Sequence, residues 1–278
     1  MKHLFDELSF SISKLTTRKY STSFSMGILA LKPSIRSAIY AIYGYVRLVD
    51  EIVDSFHDFN KEKMLQNVKR ETEEALNEKI SLNPILNSFQ QTVHKYDIDK
   101  NLIDEFLQSM EMDLKKINYD SNLYKTYIHG SAEVVGLMCL KVFTEGNQKI
   151  YEDLKPYAMK LGSAFQKINF LRDLKNDYWE LGRTYFPNLN VKAFNNQVKV
   201  LIENEIENEF KEALIGIKKL PHSSLFGVYL AYKYYFSLFK KIKSKSSNEI
   251  LIQRIRVPNT EKAWVAFKSY LRHKTTFY

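Results

Sequence analysis

Glycine and proline are both scarce in this chain, at nine and six of 278 residues. A turn-rich β sandwich or barrel uses more of both, so the composition points to long helices. There is a single cysteine, Cys139, which excludes an internal disulfide and suits a reducing compartment. Its neighbours, "GLMCLKVF", are apolar, so it reads as a core thiol and not as a nucleophile. No run of 18 apolar residues occurs, so no membrane span is expected. The opening "MKHLFDELSFSISKLTTRKY" has no unbroken apolar core of the signal-peptide kind. The six histidines are never paired at metal-ligand spacing, and zinc-finger spacing, an RNP-like motif and a G-x-G-x-x-G fingerprint are all missing. Nucleic acid is therefore not an expected partner, although the net charge is +9.

Apolar residues make up 45% of the chain, enough for a large core. No repeat, low-complexity tract or linker divides it, so residues 1–278 read as one all-α domain. Breakers are read at Pro33, Asn83–Pro84, Pro156, Pro187, Pro221 and Asn259. Between them apolar residues recur at three and four, which predicts helices over 35–56, 57–80, 85–96, 101–117, 122–143, 150–180, 198–219 and 223–243. Gly182 suits the helix end after 180.

The apolar stretch around "YGYVRLVDEIVD" (43–54) carries one arginine and three carboxylates. On a helix, Tyr43, Arg47, Asp50 and Asp54 follow at steps of four, three and four and share one face, with Glu51 at its edge. Ile39, Ile42, Val46, Val49 and Val53 flank that face. A charged stripe on a buried helix needs a partner or a water-filled cavity, because an unpaired buried charge costs several kcal/mol. One reading is an Arg47 bridge to Asp50 and Glu51; the other is a functional cavity.

About 120 residues later a second stripe appears in "QKINFLRDLKNDYWELGRTYFP" (166–187). Gln166, Asn169, Asp173 and Asp177 are spaced three, four and four. If the two helices face each other, four carboxylates and an amide line one cavity, and such a cavity needs cations. Hard oxygen donors without His or Cys select Mg²⁺, with Mn²⁺ as a substitute, and Mg²⁺ characteristically completes its shell with water and substrate phosphates. Arg47, Arg172 and Arg183 add bidentate phosphate donors. The cavity reads as a metal–diphosphate site.

These residues resemble the squalene/phytoene synthase family, the head-to-head trans-isoprenyl diphosphate synthases. The segment "STSFSMGILALKPSIRSAIYAIYGYVRLVDEIVD" (21–54) is similar to the first signature, with Ser21, Ser23, Phe24, Pro33, Arg36, Tyr43, Arg47, Asp50 and Asp54. "YIHGSAEVVGLMCL" (127–140) resembles the central signature through Tyr127, Ala132, Val135 and Gly136, and "NFLRDLKNDYWELGRTYFP" resembles the second aspartate signature. Glu51 departs from the common D-D-x-x-D, and Glu133 stands where many squalene synthases have Gly. "GSAEVVGLM" is closer to certain bacterial phytoene synthases.

The resemblance implies an isoprenoid-synthase helical bundle with a central cavity. It implies a Mg²⁺-dependent condensation of two geranylgeranyl diphosphates through a cyclopropyl diphosphate to phytoene, in carotenoid biosynthesis, without NADPH. It places Asp50, Asp54, Asn169, Asp173 and Asp177 at the metal, with Tyr43 and Arg47 beside them. Ser21, Ser23, Phe24, Arg47, Tyr127, Gln166, Asn169, Arg172, Arg183 and Tyr185 fall at the substrate. Phe24, Tyr43, Tyr127, Phe165 and Phe170 are wall candidates, with plain core packing as the competing reading for each. Gly130, Ser131, Ala132 and Gly136 either open room for a prenyl tail or let helices pack closely. Alternatives are a squalene or dehydrosqualene synthase using two farnesyl diphosphates, or a non-catalytic relative acting as an assembly factor. The expected setting is cytoplasmic, held loosely on anionic bilayers, with a downstream desaturase in contact; the C-terminal membrane anchor common in eukaryotic squalene synthases is not expected.

Overall fold

The computed structural model describes residues 1–115, 119–179, 185–187 and 194–276. Among them every regular element is helical: α1 (Lys2–Tyr20), α2 (Thr22–Leu29), α3 (Pro33–Asp54), α4 (Lys61–Glu78), α5 (Pro84–Tyr96), α6 (Lys100–Asp113), α7 (Ser121–Ile128), a π turn (His129–Glu133), α8 (Val134–Phe143), α9 (Gln148–Trp179), α10 (Asn196–Ile217), α11 (His222–Lys243), α12 (Ser247–Ile252) and α13 (Asn259–Thr276). A contiguous apolar core runs from Ile28 to Ile255. It is built from inward stripes such as Ile35, Ile39, Ile42, Val49 and Val53 of α3. Among the described residues no helix is long and apolar enough to cross a membrane.

Local chemistry sets the boundaries. Pro33 occupies the first turn of α3, where its missing N–H costs nothing. Asn60 caps α4 by accepting from the Lys63 N–H at 2.9 Å, so this helix starts at Lys61 and not at 57 as its charge pattern predicts. Asn83, Asp99, Asp120 and Asn195 cap α5, α6, α7 and α10 in the same way.

The structure corrects three other expectations. The helix over 101–117 ends at Asp113. Pro156 does not break the chain but lies inside α9. It sits on the exposed face, where water can satisfy the carbonyl that loses its partner. The helix over 122–143 is interrupted by the π turn, where the Val134 N–H reaches back to the His129 carbonyl. There Gly130 presses against α6; a Cβ on it would stand 2.6 Å from the Glu105 carbonyl oxygen and 2.8 Å from Ser109 Cβ. Gly182 and most of the segment that ends α9 lie outside the described residues.

α1 carries no apolar stripe, and its buried face is Ser9, Ser13 and Thr17. Ser13 and Ser88 hydroxyls meet at 2.7 Å, and a Cβ on Gly44 would lie 2.9 Å from Ser13 Oγ. Small polar side chains thus let α1 lie close on α3 and α5.

Candidate active site

A cavity of about 1020 Å³ runs through the bundle and is bordered by α2, α3, the π turn, α8, α9, α10 and α11. Both predicted stripes open onto it: Tyr43, Arg47, Asp50 and Asp54 from α3, and Gln166, Asn169, Asp173 and Asp177 from α9. Ser21, Phe24, Tyr127, Phe165, Phe170, Arg172 and Tyr185 line it as well. Ser23 does not, because α2 turns Phe24, Gly27 and Ile28 inward and Ser23 precedes Phe24 by about 100° of helix rotation. Arg183 lies outside the described residues.

On α3, Arg47 pairs with Glu51 and stacks over the Tyr20 ring at 4.4 Å. The bridge predicted to both Asp50 and Glu51 therefore forms with Glu51. The buried Arg47 Nε has no hydrogen-bond partner. Burial, with Asp54 beside it, pushes the Asp50 carboxyl up to about 7, against the pull of Arg47. On α9, Asp173 is neutralised differently. Arg172 Nε donates to Asp173 Oδ1 at 3.0 Å, and Arg254 Nε pairs with the same oxygen at 2.7 Å. Arg254 also lines the cavity, and nothing in its "IQRIRVP" context marks it in the sequence.

One further carboxylate went unpredicted. Asp113, at the end of α6, is buried and accepts from Tyr127 Oη at 2.6 Å and Tyr185 Oη at 3.0 Å. Its signal was present in the sequence: it falls at i+3 from Met110 and i+7 from Phe106 on the apolar stripe of α6, a core position holding an acid. Tyr127, Phe170 and Tyr185 stack beside it, Tyr127 on Tyr185 at 4.9 Å and Phe170 on Tyr185 at 4.3 Å. Burial and Asp113 hold the Tyr127 phenol well above its ordinary value.

Below the charged mouth lies an aromatic collar. Phe165 stacks on Tyr235 at 3.8 Å, and Phe24 stands 5.6 Å from Tyr43 and 5.7 Å from Tyr235. Tyr235 Oη donates to Asn169 Oδ1 at 3.4 Å, which fixes the amide that faces the mouth. Burial pushes Tyr43 up to about 12, so its hydroxyl stays protonated at neutral pH. Deeper still the walls are apolar. Ser131, Ala132, Val135 and Gly136 face the cavity, while Gly130 serves a close helix contact with α6. Cys139 lines the wall, and burial pushes its thiol up to about 12, which excludes a thiolate nucleophile.

A sequence model of the squalene/phytoene synthase family matches residues 17–261, the greater part of the chain and every stripe just described. The chain belongs to this family. Among squalene/phytoene synthase relatives, it is 25% identical over 276 residues to phytoene synthase 3 of Zea mays (92% of this chain, 64% of that one). It is 29% identical over 196 residues to 4,4'-diapophytoene synthase of Staphylococcus haemolyticus (69% of this chain, 65% of that one). The chain thus spans about two thirds of the length of these two relatives. Its fold superposes on a ligand-bound dehydrosqualene synthase with a TM-score of 0.83 at 19% identity, covering 97% of this chain and 98% of that one. The all-α isoprenoid-synthase bundle expected from the sequence is therefore the fold observed.

The metal that the family implies can be tested against the residues present. The donors are all oxygen, as Mg²⁺ requires, and burial together with the neighbouring Asp54 makes Asp50 costly to ionise without a cation. Among the described residues, no three carboxylate, imidazole or thiol groups converge tightly enough to chelate an ion alone. The residues fit a cation that shares its shell with substrate oxygens.

Proposed function

We propose that the protein condenses two prenyl diphosphates head to head. The observation that carries this reading is one continuous cavity whose mouth holds carboxylates and arginines and whose interior is aromatic and then apolar. A diphosphate and a long hydrocarbon tail find complementary walls in a single site, and the volume lies at the top of the range for ordinary small-ligand pockets, as two substrates require.

In the proposed reaction, one substrate loses diphosphate. The resulting allylic cation is attacked by the double bond of the other, and loss of a proton closes a cyclopropyl diphosphate. A second loss of diphosphate, rearrangement and loss of a proton give the hydrocarbon. Mg²⁺ bound by Asp50, Asp54, Asn169, Asp173 and Asp177 would neutralise the departing diphosphate. Arg47 and Arg172 donate to its oxygens, with the unpartnered Arg47 Nε available for this. The collar of Phe24, Tyr43, Phe165 and Tyr235 excludes water and offers ring faces to the cation. Tyr127 can accept a proton while passing its own to Asp113; the released diphosphate is the other acceptor at hand.

The substrate we propose is geranylgeranyl diphosphate and the product phytoene, formed without NADPH; the phytoene synthase relatives and "GSAEVVGLM" support it. A second reading, dehydrosqualene from two farnesyl diphosphates, is favoured by the structural likeness to a dehydrosqualene synthase. A loose, salt-released association with anionic bilayers and transfer of the product to a desaturase belong to the same proposal. The test is incubation with C15 and C20 diphosphates separately, with Mg²⁺, with and without NADPH, and identification of the hydrocarbon by mass. A C40 product indifferent to NADPH is expected. A C30 product indifferent to NADPH establishes the second reading, and one that needs NADPH overturns both in favour of squalene synthesis. No hydrocarbon from either substrate overturns the catalytic reading.

A further inference from the structure

α9 acts as a depth gauge for the cavity. Its lining residues descend from Asp177 and Asp173 through Asn169, Phe165 and Leu161 to Tyr157 and Leu154. At 1.5 Å per residue, Tyr157 lies about 24 Å from Asp173 along the helix and Leu154 about 28 Å. At that depth several element ends converge and close the cavity. Leu31 follows α2, Phe143 ends α8, Ile217 ends α10 and Leu220 follows it. Two hydrogen bonds tie these ends together: Ser224 Oγ donates to the Phe143 carbonyl at 3.2 Å, and the Lys32 N–H donates to the Ser223 carbonyl at 2.8 Å.

Tyr157 differs from the rest of this floor. Leu31, Leu154, Ile217 and Leu220 are buried, so core lies behind them. Tyr157 is half-buried, and the exposed Lys219 holds its ammonium 5.2 Å from the ring centroid. One side of the ring thus meets the cavity while the other is capped at the surface. The ring is also seated: a Cβ on Gly216 would fall 2.2 Å from Tyr157 Cβ and 2.7 Å from its Cγ. Gly216 therefore leaves the space that Tyr157 fills, and no other α10 residue type could stand there without displacing it.

We propose that Tyr157, seated on Gly216, is the stop that limits the length of the prenyl tail the cavity accepts. This rests on the head-to-head reading of the same site. Removing the ring and hydroxyl deletes more heavy atoms than the five carbons of one isoprene unit, so the limit moves by at least one unit. Gly216→Ala acts in the opposite sense, because Gly216 itself lines this end of the cavity and the added methyl takes up space there beside Tyr157 Cβ.

The experiment uses all-trans prenyl thiolodiphosphates of C10, C15, C20 and C25 with Mg²⁺. The longest tail that raises the melting temperature is recorded for the whole protein and for Tyr157→Ala, Tyr157→Phe and Gly216→Ala, alongside product length with the matching diphosphates. The expected result is a limit one unit longer in Tyr157→Ala, unchanged in Tyr157→Phe, and shorter in Gly216→Ala. A folded Tyr157→Ala with the wild-type limit overturns the proposal. A limit that moves equally in Tyr157→Phe also overturns it, because the hydroxyl and not the ring would then be decisive. If the wild-type protein makes no hydrocarbon yet the binding limit still moves as expected, the condensation reading fails and the stop stands.

Discussion

On α3 the carboxylates of Asp50 and Asp54 stand four residues apart, and on α9 those of Asp173 and Asp177 do the same, yet their surroundings differ. On α3, Arg47 is turned to Glu51, and burial with Asp54 alongside pushes the Asp50 carboxyl up to about 7. On α9, Asp173 is held by two guanidiniums, one from the next residue and one from Arg254 beyond α12. Equal spacing thus gives one acid, Asp50, whose ionisation is costly without a cation and another, Asp173, already compensated. Asp50 gains most from a metal ion, while Asp173 would share its oxygens between the ion and guanidiniums already in place.

The largest effect that probes this contrast is loss of either acid. Asp50→Asn and Asp173→Asn are expected to lower turnover on the order of 10³-fold, as removal of a charge-stabilising group does at such centres. Circular dichroism should remain native. Unfolding of either variant would show that its carboxylate belongs to a structural ion-pair network. Excess chelator should abolish turnover and added Mg²⁺ restore it.

Arg254→Ala should have an intermediate effect. It removes one charge-assisted hydrogen bond from Asp173, a contact worth about 1.5–3 kcal/mol, and a cation from the mouth. Turnover at low substrate should fall by roughly 10–100-fold. If kcat/KM is unchanged, Arg172 alone holds Asp173, and the contrast between the helices narrows.

The smallest effect is a pH dependence of stability. Between the ordinary carboxyl value of 3.8 and about 7, the folded protein keeps a proton on Asp50 that the unfolded chain has lost. That stabilisation is complete below the ordinary value and is lost as pH rises through about 7. It amounts to at most about 4 kcal/mol, and less where cavity water screens the charge. In chelator the melting temperature should therefore fall from about pH 4 to about pH 7 and level off above, by about 2–4 °C per kcal/mol. Asp50→Asn should flatten that slope. A slope that survives the substitution would assign it to other groups.

The sequence made the site legible wherever a charge interrupted an apolar period. Arg47, Asp50, Asp54, Asp173 and Asp177 all stood out in this way, and all line the cavity. Asp113 broke the stripe of α6 by the same rule, but as a single acid without a spaced partner it drew no notice. Arg254 lies in a short connection where no periodicity exists to be broken. α1 was invisible for the opposite reason: its inward face is serine and threonine, so burial leaves no hydrophobic trace. The π turn was missed because the composition of 122–143 supports an unbroken helix, and the close contact of Gly130 with α6 is a tertiary feature that composition does not carry.

That π turn can also be viewed as an insertion. A π turn is an α-helix carrying one surplus residue, and the surplus sets the phase between the two halves of the α7–α8 rod. On one side Tyr127 meets Asp113, and on the other Val135, Cys139 and Phe143 form cavity wall. Deleting one residue from His129–Glu133 would restore the ordinary pitch and turn one half against the other by about 100°. Either the phenol would leave its carboxylate or the wall would leave the cavity. The segment is therefore constrained in length as well as at Gly130, where a Cβ would meet the Glu105 carbonyl.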